Sequence, residues 1–253
     1  MPQSVAPTDG KPWTENRILG GRVTLRQPAR GYRAGLDAAL LAAACGSGRR
    51  ILEAGCGVGG ALLATALRQT EAQLVGLERD AEALELARQN ISLNGLEGRV
   101  QVLAGDVAQP FRDLDLPPFD AVMANPPYFD DPTTLRPPAP EKTGAWMADG
   151  GLKAWTGFLL KSVREGGSLT LIHRADRLAD LLALLAPKAG SFQIRPVQPH
   201  ADAPAKRVIV RAIKTGRAPL TLLSPLVLHP REGAKHTDEA EAILRGAARL
   251  DWL

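Results

Sequence analysis

A glycine-rich loop is the first group of residues in this chain whose spacing indicates a ligand-binding site. The apolar segment ILEAG leads into residues 53–60, which read EAGCGVGG and contain Gly55, Gly57 and Gly60 in the pattern G-x-G-x-x-G. Glycines at this spacing let the backbone approach a ligand closely, with a helix beginning directly beneath it. Glu78 ends the next apolar segment, where a carboxylate would accept both hydroxyls of a ribose. Up to this point a nicotinamide dinucleotide and S-adenosylmethionine fit the pattern equally well.

Two further acidic residues separate these cofactors. Glu53 lies two positions before the first glycine, where a carboxylate would repel a pyrophosphate held at the helix N-terminus. S-adenosylmethionine instead brings a cationic amine and a sulfonium to that place. Asp106, followed by Val107, ends the third strand and suits the exocyclic amine of the cofactor's adenine. The acids at three successive strand ends therefore predict S-adenosylmethionine as the cofactor.

The fourth strand, FDAVMAN, ends in the tetrad Asn125, Pro126, Pro127 and Tyr128. Ligands of open α/β sheets bind outside the carboxyl ends of the strands, so the tetrad is predicted to face the same crevice as the glycine loop. The Asn125 side-chain oxygen and the Pro126 carbonyl can each accept one N–H of a planar amine, which orients its lone pair and stabilises charge developing on nitrogen. Tyr128 offers a face on which a base can stack. We predict these four residues as the catalytic group, with Asn125 also contacting the cofactor.

These residues need a sheet whose strands end at one edge, and the chain supplies alternating strands and helices. Apolar strands are predicted at ILEAG, QLVGLE, RVQVLAGD and FDAVMAN, with helices between the first three. The alternation predicts an α/β fold with a doubly wound, mainly parallel, seven-stranded sheet and a small N-terminal cap. We predict a flexible N-terminus over 1–16, a hairpin and cap helix over 17–49, and the cofactor-binding domain over 50–253. Asp37 is the predicted N-cap of the cap helix.

Composition limits the classes of protein to which the chain can belong. Its 253 residues are 45% hydrophobic and 23% charged, as in a globular protein, and no apolar run approaches the ~18 residues that span a bilayer. The first residues lack the pattern of a secretory signal, and two cysteines cannot form a disulfide framework. We therefore expect a cytoplasmic protein without a membrane contact. The four histidines lack the spacing of metal ligands, so we expect no metal.

Positive charge concentrates in residues 1–50 and 191–217, where Lys and Arg outnumber Asp and Glu. Two basic segments can converge on a polyanion such as RNA. They can equally form the solvated surface of a chain rich in arginine. The candidates for RNA contacts are Arg26, Arg30, Arg33, Lys206 and Arg207.

The motifs ILEAGCGVGG, GLERD, AGDV and NPPY together resemble those of the class I S-adenosylmethionine-dependent methyltransferases, in the branch that methylates amino groups. The flanking segments GGRVTLRQPARGYRAGLDAALLAAA, AKRVIVRAIK and LHPREGAKHTDEAEAILRG are similar to the family of valine-tRNA adenine-37 N6-methyltransferases. This resemblance implies a Rossmann-like fold and an adenine amine bound by Asn125, Pro126 and Tyr128. It also implies that a segment with Gly35 and Asp37 closes over the cofactor, and that the partner is RNA, above all tRNA.

Two other functions remain open at this point. The same tetrad would accept the planar amide of a protein glutamine, as in a protein glutamine N5-methyltransferase. A non-catalytic RNA-binding protein would keep the fold with a vestigial pocket, although the intact glycine loop and strand-end acids argue against decay. The sequence also leaves the oligomeric state open between a monomer and a homodimer.

Overall fold

The computed structural model describes residues 13–29, 34–127 and 151–252. Its strands, in chain order, are β1 (Trp13–Ile18), β2 (Val23–Pro28), β3 (Arg50–Ala54), β4 (Gln73–Glu78), β5 (Val100–Ala104), β6 (Phe119–Ala124), β7 (Val163–Arg174), β8 (Ala189–Gln198), β9 (Arg207–Lys214), β10 (Thr221–Leu222) and β11 (Leu226–Val227). β1 and β2 form an antiparallel hairpin, and the other strands of the described residues form one sheet.

The main sheet has the order β5–β4–β3–β6–β7–β9–β8, with β10 and β11 both paired to β8. Neighbouring strands are parallel except in the two pairs that β9 makes. The predicted doubly wound, mainly parallel, seven-stranded sheet is confirmed. The short strands β10 and β11 extend it at the edge formed by β8.

One row of paired residues crosses these seven strands and lies at or next to the carboxyl ends of β3, β4, β5 and β6. In strand order from β5 to β8 the row consists of Leu103, Leu77, Ala54, Ala124, Leu171, Val210 and Ile194. Gly55, Glu78 and Asn125 each follow a member of this row by one residue. Because parallel strands end at the same edge, these three predicted site residues meet at the carboxyl edge of the sheet.

Helices cover both faces of the sheet. Within the described residues they are α1 (Leu36–Ala44), α2 (Gly60–Arg68), α3 (Ala81–Leu93), α4 (Gly151–Ser162), α5 (Leu178–Leu185) and α6 (Asp238–Leu244). α1, α2, α3 and α6 share one apolar core, and α4 and α5 share the other. Successive side chains of a strand point to opposite faces, so Ile51 enters the first core and Leu52 the second. Both cores therefore hold β3 in place beneath the glycine loop.

Two asparagines on α3 attach the N-terminal hairpin to the main domain. The side-chain oxygen of Asn90 accepts the backbone N–H of Arg26 at 2.7 Å, and its amide donates to the carbonyls of Arg26 and Val58, both at 2.9 Å. Asn94, one helical turn later, accepts from and donates to the backbone of Thr24 at 2.9 and 2.8 Å. These amides satisfy backbone groups of β2 that no strand pairs on that side, so the hairpin is fixed against α3.

Two details of the N-terminal region differ from the sequence prediction. β1 begins at Trp13, inside the segment over 1–16 that we predicted to be flexible, because Trp13–Ile18 pairs along its whole length with β2. α1 begins at Leu36 with Gly35 in the N-cap position, so Asp37 lies in the first turn and not at the cap. The prediction of Asp37 as N-cap is wrong.

The last described residues pack across α1 and α2, at the end of α2 remote from the glycine loop. Arg68, which ends α2, donates to the carbonyls of Ile243 and Ala248 at 2.6 and 2.5 Å. Burial lowers the pKa of Arg68 to about 10, which leaves the guanidinium charged at neutral pH. The indole Nε1 of Trp252 donates to the carbonyl of Ala44 at 3.1 Å. These contacts anchor the C-terminal segment without using the carboxyl edge of the sheet.

Candidate active site

The glycine loop connects β3 to α2, and its packing requires glycine. Gly55 has a φ of 66°, a left-handed conformation that residues with a side chain rarely adopt. A Cβ at Gly55 would also lie 2.2 Å from Cη2 of Trp155 on α4. At Gly60, a Cβ would lie 2.5 Å from the Cβ of Ala34, which precedes α1. The loop is therefore held between two neighbouring segments, which fixes its backbone at the end of β3.

A small pocket opens above this loop. Its lining comes from the segment before α1, from α1 and α2, and from the ends of β3 and β6: Ala34, Ala38, Glu53, Gly55, Cys56, Gly57, Val58, Gly60, Ala61 and Asn125. The pocket brings together two groups that the sequence analysis predicted separately. The predicted cofactor residues Glu53, Gly55 and Gly57 share it with Asn125, the first residue of the tetrad.

Glu53 is a buried carboxylate in the wall of this pocket, with 4% of its surface exposed. Burial raises the pKa of Glu53 well above its ordinary value, and the charge of Glu78 raises it further, while the backbone N–H of Leu62 lowers it. No described group donates a hydrogen bond to Oε2 of Glu53. A buried carboxylate oxygen without a partner favours a cationic ligand, because a buried charge is stable only when it is paired. The cationic amine of S-adenosylmethionine fits this requirement.

Glu78 ends β4 and is held by backbone N–H groups. Its Oε2 accepts from Gly57 at 2.8 Å, and its Oε1 accepts from Arg79 and Asp80 at 2.9 and 2.8 Å. These three bonds tie the carboxylate to the glycine loop and to the start of α3. A carboxylate oxygen can accept more than one hydrogen bond, so this fixed group retains the capacity that ribose hydroxyls need.

Asp106 follows β5 and is also fixed by its neighbours. Its Oδ1 accepts the backbone N–H of Ala108 at 2.9 Å, and its Oδ2 pairs with Arg79 Nη1 at 3.2 Å. Val107 is half-buried and packs against the core that contains α4. The predicted adenine acceptor therefore lies in contact with a guanidinium from the end of β4, a neighbour that the sequence analysis did not identify.

The tetrad begins at the end of β6, directly beside the glycine loop. Ala124 pairs with Ala54, so Asn125 and Gly55 leave neighbouring strands at the same level. Asn125 and Pro127 are half-buried and Pro126 is buried. Tyr128, predicted to stack the target base, lies outside the described residues. Asn125, the first residue of the tetrad, thus lines the pocket.

The predicted cofactor residues Gly35 and Asp37 lie at the start of α1. Gly35 is exposed, whereas Asp37 is largely buried and its Oδ1 lies 2.5 Å from Nε of Arg207. Arg207, predicted as an RNA contact, therefore forms an ion pair with a predicted cofactor residue. The sequence analysis missed this pairing because the two residues lie far apart in the chain.

The remaining predicted RNA contacts lie in different surroundings. Arg26 lies over the ring of Trp13 at 4.4 Å and forms ion-pair and hydrogen-bond contacts with Glu15 and Gln89 at 3.5 and 3.4 Å. Lys206 is exposed immediately before β9. The hairpin with Arg26 packs against α3, which covers β4 and β5, so the fold places Arg26 and Lys206 on opposite sides of β3. Arg30 and Arg33 lie outside the described residues.

Cys56 lies at the pocket, but its thiol is not in the deprotonated form that acts as a nucleophile. Burial raises the pKa of the Cys56 thiol well above its ordinary value, and Glu53 and Glu78 raise it further. The thiol therefore stays protonated, and the small size of cysteine explains its place in the loop. Trp155, whose ring limits Gly55, belongs to the helix core as its position in α4 predicts.

Two absences hold for the part of the chain that the structure describes. No group of three or more His, Cys, Asp or Glu side chains in it is arranged to hold a metal ion. Likewise, none of its helices has the length and apolar character needed to cross a membrane.

Comparison with known proteins gives a family match over the site. Residues 36–136 match the family model of the methyltransferase small domain. A tRNA1(Val) (adenine(37)-N6)-methyltransferase from Porphyromonas gingivalis is 27% identical over 228 residues, which cover 84% of this chain and 87% of the relative. A release factor glutamine methyltransferase from Chlorobaculum tepidum is 28% identical over 152 residues, which cover 57% of this chain and 52% of the relative. The chain spans about half the length of the release factor and ribosomal protein L11 methyltransferases that it matches.

A solved structure has the same fold over most of its length. It is described as a predicted O-methyltransferase from Agrobacterium tumefaciens and matches with a TM-score of 0.70 and 29% identity, over 85% of this chain and 98% of that chain. The relatives described above are named as methyltransferases with different acceptors, a tRNA adenine in one case and a release factor glutamine in another. Residues 36–136 thus match a methyltransferase small domain, and the site that they form suits S-adenosylmethionine, with a glycine loop and a buried carboxylate at the edge of a Rossmann-like sheet.

Proposed function

We propose that the protein transfers a methyl group from S-adenosylmethionine to the exocyclic N6 amine of an adenine in RNA, above all in tRNA. The position of Asn125 carries this proposal. Asn125 follows β6 at the level of Gly55 and lines the same pocket as Glu53 and the glycine loop. A turn that only ended a strand would have no need to open into the cofactor pocket.

The chain's task in this reaction is to make a weak nucleophile reactive. S-adenosylmethionine supplies a methyl group bonded to a sulfonium, while the lone pair of an adenine amine is delocalised into its ring. The Asn125 side-chain oxygen and the Pro126 carbonyl accept the two N–H bonds of the amine, which directs the lone pair at the methyl group. Both oxygens stabilise the positive charge that develops on nitrogen, and the methylated amine then loses one proton to water. Glu53 holds the cationic part of the cofactor on the other side of the pocket.

RNA is favoured over a free nucleotide by the charge beside the pocket. Arg207 reaches Asp37 at the start of α1, and Lys206 is exposed next to it. An unpaired base in an RNA loop costs little to extrude, so a chain of this size can reach its target without a large recognition domain. The Porphyromonas relative, whose match covers 84% of this chain, is named for a tRNA adenine.

A second candidate acceptor is the side-chain amide of a protein glutamine. Its planar nitrogen presents the same two N–H bonds to Asn125 and Pro126, and release factor glutamine methyltransferases are among the relatives of this chain. Their matches cover just over half of this chain, whereas the match to the Porphyromonas tRNA methyltransferase covers 84%. We therefore rank the glutamine second.

A competition between acceptors tests the proposal. The purified protein is incubated with methyl-labelled S-adenosylmethionine and with both unmodified tRNA and unmodified release factor, and the label in each acceptor is measured. We expect the label in tRNA, with a matched loss of transfer to it in Asn125→Ala. Transfer to release factor alone would establish the second candidate and overturn the first.

A further inference from the structure

Three histidines form a cluster, called the stack below after its stacked pair His229 and His236, in the part of the carboxyl edge that the reaction mechanism does not use. The ring centroids of His200 and His229 lie 5.8 Å apart with an interplanar angle of 51°. Those of His229 and His236 lie 5.1 Å apart at 29°, a stacked arrangement. All three side chains are half-buried. The central ring, His229, is thus in contact with both of the other rings.

Strand register places this stack on the same edge as the methyl-transfer pocket. The row that contains Ala124 in β6 contains Ile194 in β8, and β8 continues beyond that row to Gln198. β11 runs parallel to β8, with Val227 opposite Gln198. The histidines therefore follow the carboxyl ends of β8 and β11. At the usual spacing of strands, β8 lies about 14 Å to the side of β6, within reach of an RNA whose target base enters the pocket.

Backbone carbonyls fix two of the rings. Nδ1 of His200 lies 3.1 Å from the carbonyl oxygen of His229, and Nδ1 of His229 lies 2.6 Å from that of Lys235. A carbonyl oxygen only accepts hydrogen bonds, so Nδ1 carries the proton in both rings. The hydrogen bond thereby fixes the orientation of each ring, which a ring on which a base stacks requires.

The charge around the stack suits RNA. Burial, followed by the charges of His229 and Lys235, lowers the pKa of His236, so this ring is neutral at physiological pH and can pack against its neighbour without repulsion. The carboxylates that act on the stack form ion pairs, Asp202 with Arg231 and Glu241 with Arg245. Lys206 and Lys235 are exposed on the two loops that carry the histidines.

We propose that the stack of His200, His229 and His236 is a platform on which an unpaired base of the substrate RNA stacks while a different base of the same RNA is methylated in the pocket. The ring of His200, at the end of the cluster, receives the base on a face, and the two lysines contact phosphates. This inference rests on the proposed RNA substrate and adds a second contact to it. Stacking on aromatic rings, histidine included, is the way in which proteins hold splayed single-stranded bases.

The test distinguishes two roles of His200, which are stacking by its flat ring and hydrogen bonding by its imidazole nitrogens. The probe is a short RNA hairpin with a fluorescent adenine analogue in its loop, titrated with the full chain in the presence of S-adenosylhomocysteine. We expect His200→Ala to weaken binding by about 5- to 150-fold and to reduce quenching of the fluorophore, because one base loses its stacking partner. His200→Phe keeps the flat ring and should keep most of the affinity and the quenching. Lys188→Ala, an exposed lysine before β8 at the opposite edge, is the matched control and should bind like the parent.

Three results would overturn the platform. They are unchanged binding in His200→Ala, a His200→Phe variant as weak as His200→Ala, and equal weakening in Lys188→Ala. Thermal melting and S-adenosylhomocysteine affinity confirm that each variant folds. If any of these results occurs in a protein that still methylates RNA, only the platform fails. If the parent protein neither binds nor methylates RNA, the proposed function fails with it.

Discussion

The carboxyl edge of the sheet has two halves that are assembled in different ways. On the half formed by β3, β4 and β5, backbone N–H groups of nearby residues hold the carboxylates of Glu78 and Asp106. On the half formed by β6, β7, β9 and β8, the polar contacts join distant segments, such as Arg207 with Asp37 and His200 with His229. The carboxylate contacts of the cofactor half thus lie within residues 57–108, whereas the substrate half also depends on the pairing of Asp37 with Arg207 across the fold. The pocket at Glu53 and Asn125 is where the two halves meet.

The largest expected effect comes from breaking the substrate half at Asn125. Asn125→Ala removes one of two acceptors from the amine while the glycine loop and Glu78 stay in place. We expect turnover to fall by roughly 10²–10³-fold, because the lost interaction acts mainly as charge develops on nitrogen. Single-turnover transfer to unmodified tRNA measures this, and calorimetry with S-adenosylhomocysteine should show little change. If the Asn125→Ala enzyme folded and kept near-parental turnover, the tetrad would be only a turn that ends β6.

The second effect breaks the cofactor half at Glu53. Glu53→Gln keeps the shape of the side chain but removes the charge that pairs with the cofactor's amine. We expect S-adenosylhomocysteine affinity to fall by about 10- to 150-fold, the range for a hydrogen bond to a charged group. Calorimetry measures the affinity, and Glu71→Gln, an exposed glutamate before β4, is a matched control. Equal affinities in parent and Glu53→Gln would show that this carboxylate does not bind the cofactor.

The same substitution should stabilise the ligand-free protein at neutral pH. Burial raises the pKa of Glu53 in the folded chain, so folding disfavours its ionised form. At low pH Glu53 is protonated and its burial does not destabilise the fold. The free energy of unfolding therefore falls as the pH rises from the ordinary carboxyl range through the raised pKa of Glu53. We expect Glu53→Gln to melt a few degrees above the parent at about pH 8 and close to it at about pH 4. A Glu53→Gln protein that melts below the parent at about pH 8 would contradict the cost of this buried charge.

The sequence predicted the cofactor half of the carboxyl edge better than the substrate half. The mainly parallel sheet and the positions of Gly55, Glu78 and Asn125 after strand ends were predictable, because hydrophobic alternation sets the strands and parallel strands end at one edge. The contacts of Arg207 with Asp37 and of His200 with His229 were not, since nothing local in the sequence records which distant segments pack together. Even within the cofactor half, the position of Arg79 against Asp106 depends on the spacing of two strands, which no motif encodes.

A smaller effect should distinguish Lys206 from Arg207. Both carry charge beside the pocket, but Arg207 also pairs with Asp37 at the start of α1. Each contact with a phosphate of single-stranded RNA contributes about 0.7 to the slope of log affinity against log salt. We expect Lys206→Ala to reduce this slope without changing S-adenosylhomocysteine affinity, and Arg207→Ala to weaken cofactor binding by a few-fold as well. An RNA affinity independent of salt would assign both residues to the solvated surface.

The smallest effect should come from Arg26. Its guanidinium is already engaged by Trp13, Glu15 and Gln89, on the other side of β3 from Lys206. We expect Arg26→Ala to leave the salt dependence of RNA binding close to that of the parent and to cost at most about 1 kcal/mol of stability, as exposed ion pairs do. Filter binding at several salt concentrations and thermal melting measure the two quantities. If Arg26→Ala reduced the slope of log affinity against log salt as much as Lys206→Ala does, the RNA-binding surface would include the hairpin.

Identification of the methylated atom tests the central claim most directly. The purified protein is incubated with unmodified tRNA and S-adenosylmethionine, and the RNA is digested to nucleosides and analysed by mass spectrometry against authentic standards. The arrangement of Asn125 and Pro126 beside the cofactor pocket predicts N6-methyladenosine, and its absence in the Asn125→Ala reaction. A methyl group on a ribose hydroxyl or on a ring nitrogen would contradict an acceptor pair built for a planar exocyclic amine.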